Sequence, residues 1–332
     1  MDIILLIPIL VSLILVLLIL PKWIKKCNQV GLLWTDMNKH NHPKNVAASG
    51  GIVVVMAFVI GVLIYVAFRT FIVKDIDGIS LNVFALLSVV LILSIVGLTD
   101  DLLGWQHGGL SRRFRILLAL LASIPLIVIN AGDQIVNIPF IGQIAFGLLY
   151  PLIIIPLGII GATTTYNFLA GFNGLEAGQG IIILSFLSFI AYSTGSPWLA
   201  IVGLCMVASL IGFYFYNRVP AKVFPGDILT YSVGALIASM AILGNFEKIA
   251  VFVFIPYILE TILKIRGGLK KHSFGIPDKN NNLKMPYSKV YGLTHLSILI
   301  LSKFKKHVKE EDVVYLIFSF QIIICLMALI IF

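Results

Sequence analysis

Apolar runs of roughly 18–20 residues recur along the whole of this 332-residue chain, and no other feature limits its fold so tightly. A helix rises about 1.5 Å per residue, so about 20 apolar residues cross a hydrocarbon core of about 30 Å. Such runs occupy approximately 3–20, 50–68, 79–98, 114–130, 143–164, 180–194, 197–216, 228–244, 248–264 and 313–331. They predict an all-α polytopic membrane protein of about ten transmembrane helices, with residues 1–332 forming a single integral-membrane domain. The 180–194 run is the shortest. Charged residues make up 12% of the chain, about half the share found in soluble domains. The first run has no basic leader and is followed by Lys22, Lys25 and Lys26, which fits an uncleaved helix better than a signal peptide. Cys27, Cys205 and Cys325 are scattered, with neither metal-ligand spacing nor a disulfide framework.

Charge gives the orientation. The loops 21–49, 99–113, 165–179, 217–227 and 265–312, with their flanking helix ends, hold 21 of the 24 Lys and Arg. Only Arg69, Lys74 and Lys248 lie on the opposite side. The excess of positive charge in cytoplasmic loops then places those five loops in the cytoplasm and both termini outside. The net charge of +9 follows from this topology, and nucleic acid is not an expected partner.

Polar groups crowd the cytoplasmic ends of the apolar runs. "GLTDDLLGW" sets Asp100 and Asp101 at the exit of the third run, "YNFLAGFNGLEAGQG" follows the fifth, and "KVFPGDILTYSVG" leads Asp227 into the eighth. Taken singly, such acids are ordinary helix caps, and Asp227 after Pro-Gly has the look of one. Taken together they are less ordinary, because two adjacent aspartates repel at low dielectric unless a cation or basic group sits nearby. The last loop is the most basic, with "KIRGGLKKH" and "KMPYSKVYGLTH" ahead of a surface helix over 296–312. One face thus offers carboxylates for a hard divalent cation, glycine-rich backbone for close approach to a ligand, and basic groups for phosphates. Phosphoryl transfer needs such parts, since its catalysis is mostly positioning and charge neutralisation. A secondary transporter is the competing class. Transporters keep ionisable groups near the bilayer midplane, whereas here Glu260 is the only acid inside a run and lies near its cytoplasmic end.

In these loops the chain resembles the polyprenyl-phosphate N-acetylhexosamine-1-phosphate transferases, ten-span enzymes of the glycosyltransferase 4 type. "NFLAGFNGLEAGQ" is nearly the wording of the archaeal and eukaryotic branch that uses dolichyl phosphate, and the likeness runs from "DMNK" (36–39) to "GLTH" (292–295). The resemblance implies transfer of N-acetylglucosamine-1-phosphate from UDP-N-acetylglucosamine to a dolichyl or other polyprenyl phosphate, with release of UMP. That is the first step of lipid-linked oligosaccharide synthesis for protein glycosylation. It implies Mg²⁺, with Mn²⁺ as a substitute, held by Asn167 and Asp227. Asp100 and Asp101 match the aspartate pair that orients or deprotonates the lipid phosphate. Gly171 and Asn173 match the uridine-binding positions, and Arg115, Lys270, Lys271 and His272 match phosphate-binding positions, Arg112 and Arg113 being alternatives to Arg115. An asparagine suits uracil because its amide offers both donor and acceptor. Asp36 and Lys39 are family-like, or a salt-bridged loop anchor. Glu176 either touches substrate or braces its loop, and His295 either contacts substrate or pins the surface helix.

The chain departs from the family in three places. It reads "NVAASGG" where a Pro-Glu normally precedes the glycines, so Ala47 and Ala48 remove a polar contact. Arg115 stands where the family has lysine, and the two are not equal exchanges. His272 stands where arginine is expected. These departures bear on the sugar, and another UDP-N-acetylhexosamine is the alternative donor. The lipid bilayer is a partner throughout, and a homodimer is compatible with the sequence. The membrane is read as the cell membrane of an archaeon, the endoplasmic reticulum being the alternative, with the active site facing the cytoplasm.

Overall fold

The computed structural model describes residues 6–74, 78–138 and 142–332. The chain opens with α1 (Leu6–Val30), a hairpin of β1 (Leu33–Thr35) and β2 (Lys44–Ala47), and α2 (Gly51–Phe68), which a π-helical turn extends to Val73. Then come α3 (Ile79–His107), α4 (Arg112–Ala122), α5 (Ile124–Val128) and a second hairpin, β3 (Ile135–Ile138) and β4 (Gly142–Ala145). A π-helical turn from Tyr150 leads into α6 (Ile155–Phe168), followed by α7 (Leu175–Ser193), α8 (Pro197–Asn217), α9 (Gly226–Leu243), α10 (Glu247–Val253) and α11 (Ile255–Arg266). The two-residue pair β5 (Ile276–Pro277) and β6 (Leu283–Lys284), then α12 (Leu293–Phe304) and α13 (Glu310–Ile331), complete the chain. All three strand pairs are antiparallel.

Eight helices among the described residues are long and apolar enough to cross a membrane, which makes this an all-α integral membrane protein. The sequence led us to expect ten unbroken spans. The runs 114–130 and 248–264 are instead broken, into α4 and α5 at Ser123 and into α10 and α11 at Phe254. Each break precedes a proline, Pro125 or Pro256, in the first turn of the second piece, where a missing N–H and a fixed φ are tolerated. Ser123 helps the first break by donating its hydroxyl to the Leu120 carbonyl at 2.6 Å. The short run at 180–194 proves to be a full-length helix, because α7 begins at Leu175 and carries Glu176 and Gln179 inside its buried face. The run at 143–164 loses its first residues to β4, and its helix starts at Tyr150.

α9 is the centre of the bundle. Every residue from Ile228 through Ile242 is buried, with α3 and α6 packed most extensively against it. Lipid is as apolar as a leucine side chain, so helices in a bilayer associate through close packing and interhelical hydrogen bonds. Both devices occur at the α3–α9 contact. Gly97 lets the backbones touch, since a Cβ there would stand 2.5 Å from the Asp227 carbonyl oxygen. About one turn deeper, the hydroxyls of Ser94 and Ser232 meet at 2.7 Å. On the rim, Leu10, Leu18, Ile323 and Leu326 are exposed, as lipid-facing residues must be.

Candidate active site

The first polar contact against α9 is made by backbone. Residues 47–51 are zipped to 222–225: Ala47 N–H donates to Lys222 O at 3.3 Å, Phe224 N–H to Ala47 O at 2.8 Å, and Gly51 N–H to Pro225 O at 2.9 Å. Ala47 and Ala48 are wholly buried in this seam, and Ala48 O accepts from the indole of Trp23 at 3.0 Å. Small side chains at these positions are therefore set by packing between two loops, which the sequence reading had treated as the loss of a polar contact.

The seam delivers the chain to Gly226, which has φ +75° and forms the first turn of α9. A side chain here would be strained and would also collide with the Asp101 carboxylate. That carboxylate closes the open N-terminus of α9, accepting from Asp227 N–H at 2.7 Å and from Ile228 N–H at 3.4 Å. The cap of this helix is thus Asp101, reaching across from α3, and Asp227 does not cap it. The reason is geometric. Asp227 lies inside the first turn, so its own side chain points outward, while the orphan amides face the end of α3.

Asp100 sits one residue earlier and turns to the other side. Its Oδ1 accepts from Leu110 N–H, and its Oδ2 pairs with Arg115 at 3.0 Å. The same guanidinium nitrogen lies 3.5 Å from Asp227 Oδ2. Arg115 is therefore the basic group between Asp100 and Asp227 that the crowded acids required. Among the described residues no protein group bonds the Asn167 amide, whereas the Asp227 carboxylate meets that of Asp100 as well as Arg115.

Two cavities meet here. The first, of about 330 Å³, is basic, with Arg112, Arg115, Lys264, Lys271 and His272 in its walls. The second, of about 250 Å³, is acidic and amide-rich, with Asp36, Asp101, Asn173, Glu176 and Asp227 in its walls. Asn167, Ala170 and Phe274 line both.

The loop 169–174 between α6 and α7 is held from three directions. Glu176 braces it from within, accepting from Gly171 N–H at 2.8 Å with its carboxylate buried. From the first hairpin, Asp36 accepts from Asn173 Nδ2 at 3.0 Å, and Asn38 Nδ2 donates to Gly171 O at 2.9 Å. From the start of α13, Glu310 accepts from Asn173 N–H at 2.8 Å and from Asn38 Nδ2 at 3.2 Å, and forms an ion pair with Lys39. Lys39 is thus a loop anchor. Asn38 and Glu310 escaped the sequence reading. Glu310 belongs to an acidic run that reads as a helix start, and nothing local announces a partner 137 positions earlier.

The basic loop is fastened from below. Lys264 on α11 donates to Ser273 Oγ at 2.5 Å and lies 3.7 Å from Glu260, whose other oxygen accepts from Leu293 N–H at 2.5 Å. Arg112 donates to Leu269 O at 2.6 Å. Lys271 lies over the rings of Tyr287 and Tyr291, 4.8 and 5.8 Å from their centroids. His272 stacks on Phe274. Lys270 lines neither cavity and is exposed. His295 is fully buried, accepts from Tyr291 N–H at 3.4 Å and packs on Tyr287, so it pins α12 and lines neither cavity. Burial, and after it the charge of Lys264, push its imidazole down to about 4.

A third space flanks the first. A groove of about 400 Å³ between α6, α9, α10 and α11 is lined by Leu157, Gly161, Ile237, Val251, Phe254 and Ile258, and is almost wholly apolar. Thr164 lines the basic cavity and Thr165, the next residue, lines this groove.

The chain is similar to known proteins over most of its length. The model of glycosyl transferase family 4 matches residues 83–245, which span α3 to α9. A Sulfolobus acidocaldarius protein named "Putative UDP-N-acetylglucosamine--dolichyl-phosphate N-acetylglucosaminephosphotransferase" is 34% identical, over 94% of this chain and 92% of its own length. The UDP-N-acetylglucosamine–dolichyl-phosphate N-acetylglucosaminephosphotransferase of Dictyostelium discoideum is 30% identical, over 72% of this chain and 66% of its own. A phospho-N-acetylmuramoyl-pentapeptide-transferase of Streptococcus agalactiae is 27% identical over 76% of each.

Proposed function

Because this chain belongs to glycosyl transferase family 4, we propose that it transfers N-acetylglucosamine-1-phosphate from UDP-N-acetylglucosamine to dolichyl or another polyprenyl phosphate. An oxygen of the lipid phosphate attacks the sugar-bearing phosphorus of the donor. The bond from that phosphorus to the bridging oxygen breaks, UMP leaves with the electron pair, and a lipid diphosphate sugar remains. The observation that carries this reading is the meeting of a basic and an acidic cavity at Asn167, with Arg115 held between Asp100 and Asp227.

Each part has work to do in that reaction. The second cavity takes the uridine, with Asn173 and the backbone near Gly171 at its recognition edge. The first takes the phosphates, with Arg115, Lys271 and His272 facing them. Lys270, exposed at the rim, acts through its charge alone. The apolar groove beside Thr165 receives the start of the lipid tail, which brings the lipid phosphate to the mouth of the basic cavity. Asp100 fixes Arg115, and Asp101 fixes the first turn of α9 so that Asp227 faces the phosphates.

The residues at the junction fit Mg²⁺ or Mn²⁺. Asp100 and Asp227 meet and share a single guanidinium, and the Asn167 amide lines both cavities without a protein partner among the described residues. Among the described residues no cluster of three His, Cys, Asp or Glu side chains is available to hold a metal unaided. A site of one carboxylate and one amide suits a hard ion that takes its remaining ligands from water and phosphate oxygens. The ion would neutralise charge on the diphosphate as UMP departs.

The enzyme is read as acting at the cytoplasmic face of an archaeal cell membrane, since the basic loops all carry the site's residues. The test is transfer of labelled sugar phosphate from UDP-N-acetylglucosamine to dolichyl phosphate by the purified chain in detergent. A lipid-linked product with release of UMP is expected. Product from a different UDP-sugar alone would move the donor assignment, and no product from any donor would remove the reading.

A further inference from the structure

Asn173 is useful for recognising a base only if its amide faces one way. A primary amide has an accepting end and a donating end, and turning it over exchanges them. In this chain the choice is made by Asp36. Asn173 Nδ2 donates to Asp36 Oδ2 at 3.0 Å, and both residues are buried. A carboxylate accepts and does not donate, so the reversed amide would set two acceptors against each other. Asp36 is itself fixed, its Oδ1 accepting from Asn38 N–H at 3.2 Å and its backbone N–H donating to Pro43 O at 2.9 Å. The Asn173 backbone is fixed as well, by Glu310 at 2.8 Å. With Nδ2 committed, Asn173 has only its Oδ1 left, which bonds no protein group among the described residues, and Asn173 lines the second cavity.

We infer that Asp36 is a positioning residue which makes Asn173 present its carbonyl oxygen, and that the site thereby selects a pyrimidine with an N–H at that edge. This rests on the proposed reading of the second cavity as the uridine site. Uracil carries a hydrogen at N3 and satisfies a fixed acceptor. Cytosine has a lone pair at N3, which meets Oδ1 acceptor to acceptor. A buried polar group left facing a like group weakens binding by roughly tenfold or more. Discrimination between the two bases therefore comes from a residue that touches neither of them.

The experiment compares binding of UDP, CDP and N3-methyl-UDP to the purified full chain in detergent, by competition against labelled UDP. The wild-type chain is expected to prefer UDP over CDP, and over N3-methyl-UDP, by about tenfold or more. Asp36→Asn frees the amide to turn and is expected to erase most of the preference for UDP over CDP. The exchanged pair Asp36→Asn with Asn173→Asp restores one donor facing one carboxylate and keeps an acceptor toward the base. It is expected to recover the preference. A role in folding alone would move the melting temperature and leave the ratio untouched. A UDP/CDP ratio unchanged in Asp36→Asn, or N3-methyl-UDP bound as tightly as UDP by the wild-type chain, overturns the inference and leaves the uridine site standing. The N3-methyl result needs no variant to fold. A wild-type chain that binds neither nucleotide removes the premise and the inference with it.

Discussion

Replacing Asp101 with alanine takes two hydrogen bonds from the N-terminus of α9 and leaves the Asp227 and Ile228 amides without their acceptor. Bonds to a charged group contribute about 1.5–3 kcal/mol each. The 2.7 Å bond to Asp227 N–H counts near the middle of that range and the 3.4 Å bond to Ile228 N–H at its foot. The sum is about 3–4 kcal/mol. In a chain of this size each kcal/mol moves the melting temperature by about 2 °C, so Asp101→Ala is expected to melt about 6–8 °C lower. Asp227→Asn keeps the shape of the turn and removes one of the two carboxylates held at Arg115. It is expected to melt with the wild type and to transfer no sugar phosphate. The assay pairs tryptophan-fluorescence melting in detergent with transfer from UDP-N-acetylglucosamine to dolichyl phosphate. The reasoning fails if Asp101→Ala loses turnover while melting within about 2 °C of wild type. Asp101 would then belong to the chemistry and not to the cap.

Three further outcomes are expected. Arg115→Lys should lower transfer about tenfold or more, because the planar guanidinium serves Tyr231 as well as Asp100 and Asp227 and an ammonium on a flexible stem does not hold all three in that geometry, and steady-state kinetics will show it in kcat. Chelation of divalent cations should stop transfer, and added Mg²⁺ or Mn²⁺ should restore it. His295, held at about 4 in the fold and near 6.5 when unfolded, takes up a proton in the unfolded chain first. It therefore costs stability as pH falls below about 6.5, by about 3 kcal/mol once pH reaches about 4. Subtracting the melting profile of His295→Gln from that of the wild type isolates this contribution, and a flat difference between those two pH values would refute it.

How far the sequence could be read depended on the range of the interaction involved. The spans were legible because a 30 Å apolar slab is a local demand on about 20 consecutive residues. The two breaks were missed since Pro125 and Pro256 sit inside uniformly apolar runs, where hydropathy carries no mark of a kink. Reading polarity as loop misjudged the start of α7. Glu176 and Gln179 are buried there, and the Glu176 carboxylate is used by the Gly171 amide of the loop just before it. The residues of the site were named almost entirely from motif resemblance, and the fold brings Asp101, Arg115, Asn167, Asn173 and Asp227 to two adjoining cavities, with Asp100 behind Arg115. Which acid caps and which faces the cavity was not legible. "FPGD" has the local pattern of a capped helix, and only the close approach of α3 at Gly97 shows that the cap is supplied from another helix. The roles of Asn38 and Glu310 were out of reach for the same reason, as each acts on a loop more than a hundred positions away.

Glu310 also sets an order on biosynthesis. Ribosomes make the hairpin that holds Asp36 and Asn38 first, and the loop that holds Asn173 halfway through. The carboxylate that ties both together arrives only with the final helix. A nascent chain that has not reached α13 has Asp100, Asp101, Asp227 and the 169–174 loop, yet lacks the clamp that sets the Asn173 backbone. That loop is thereby left unclamped until α13 has been made.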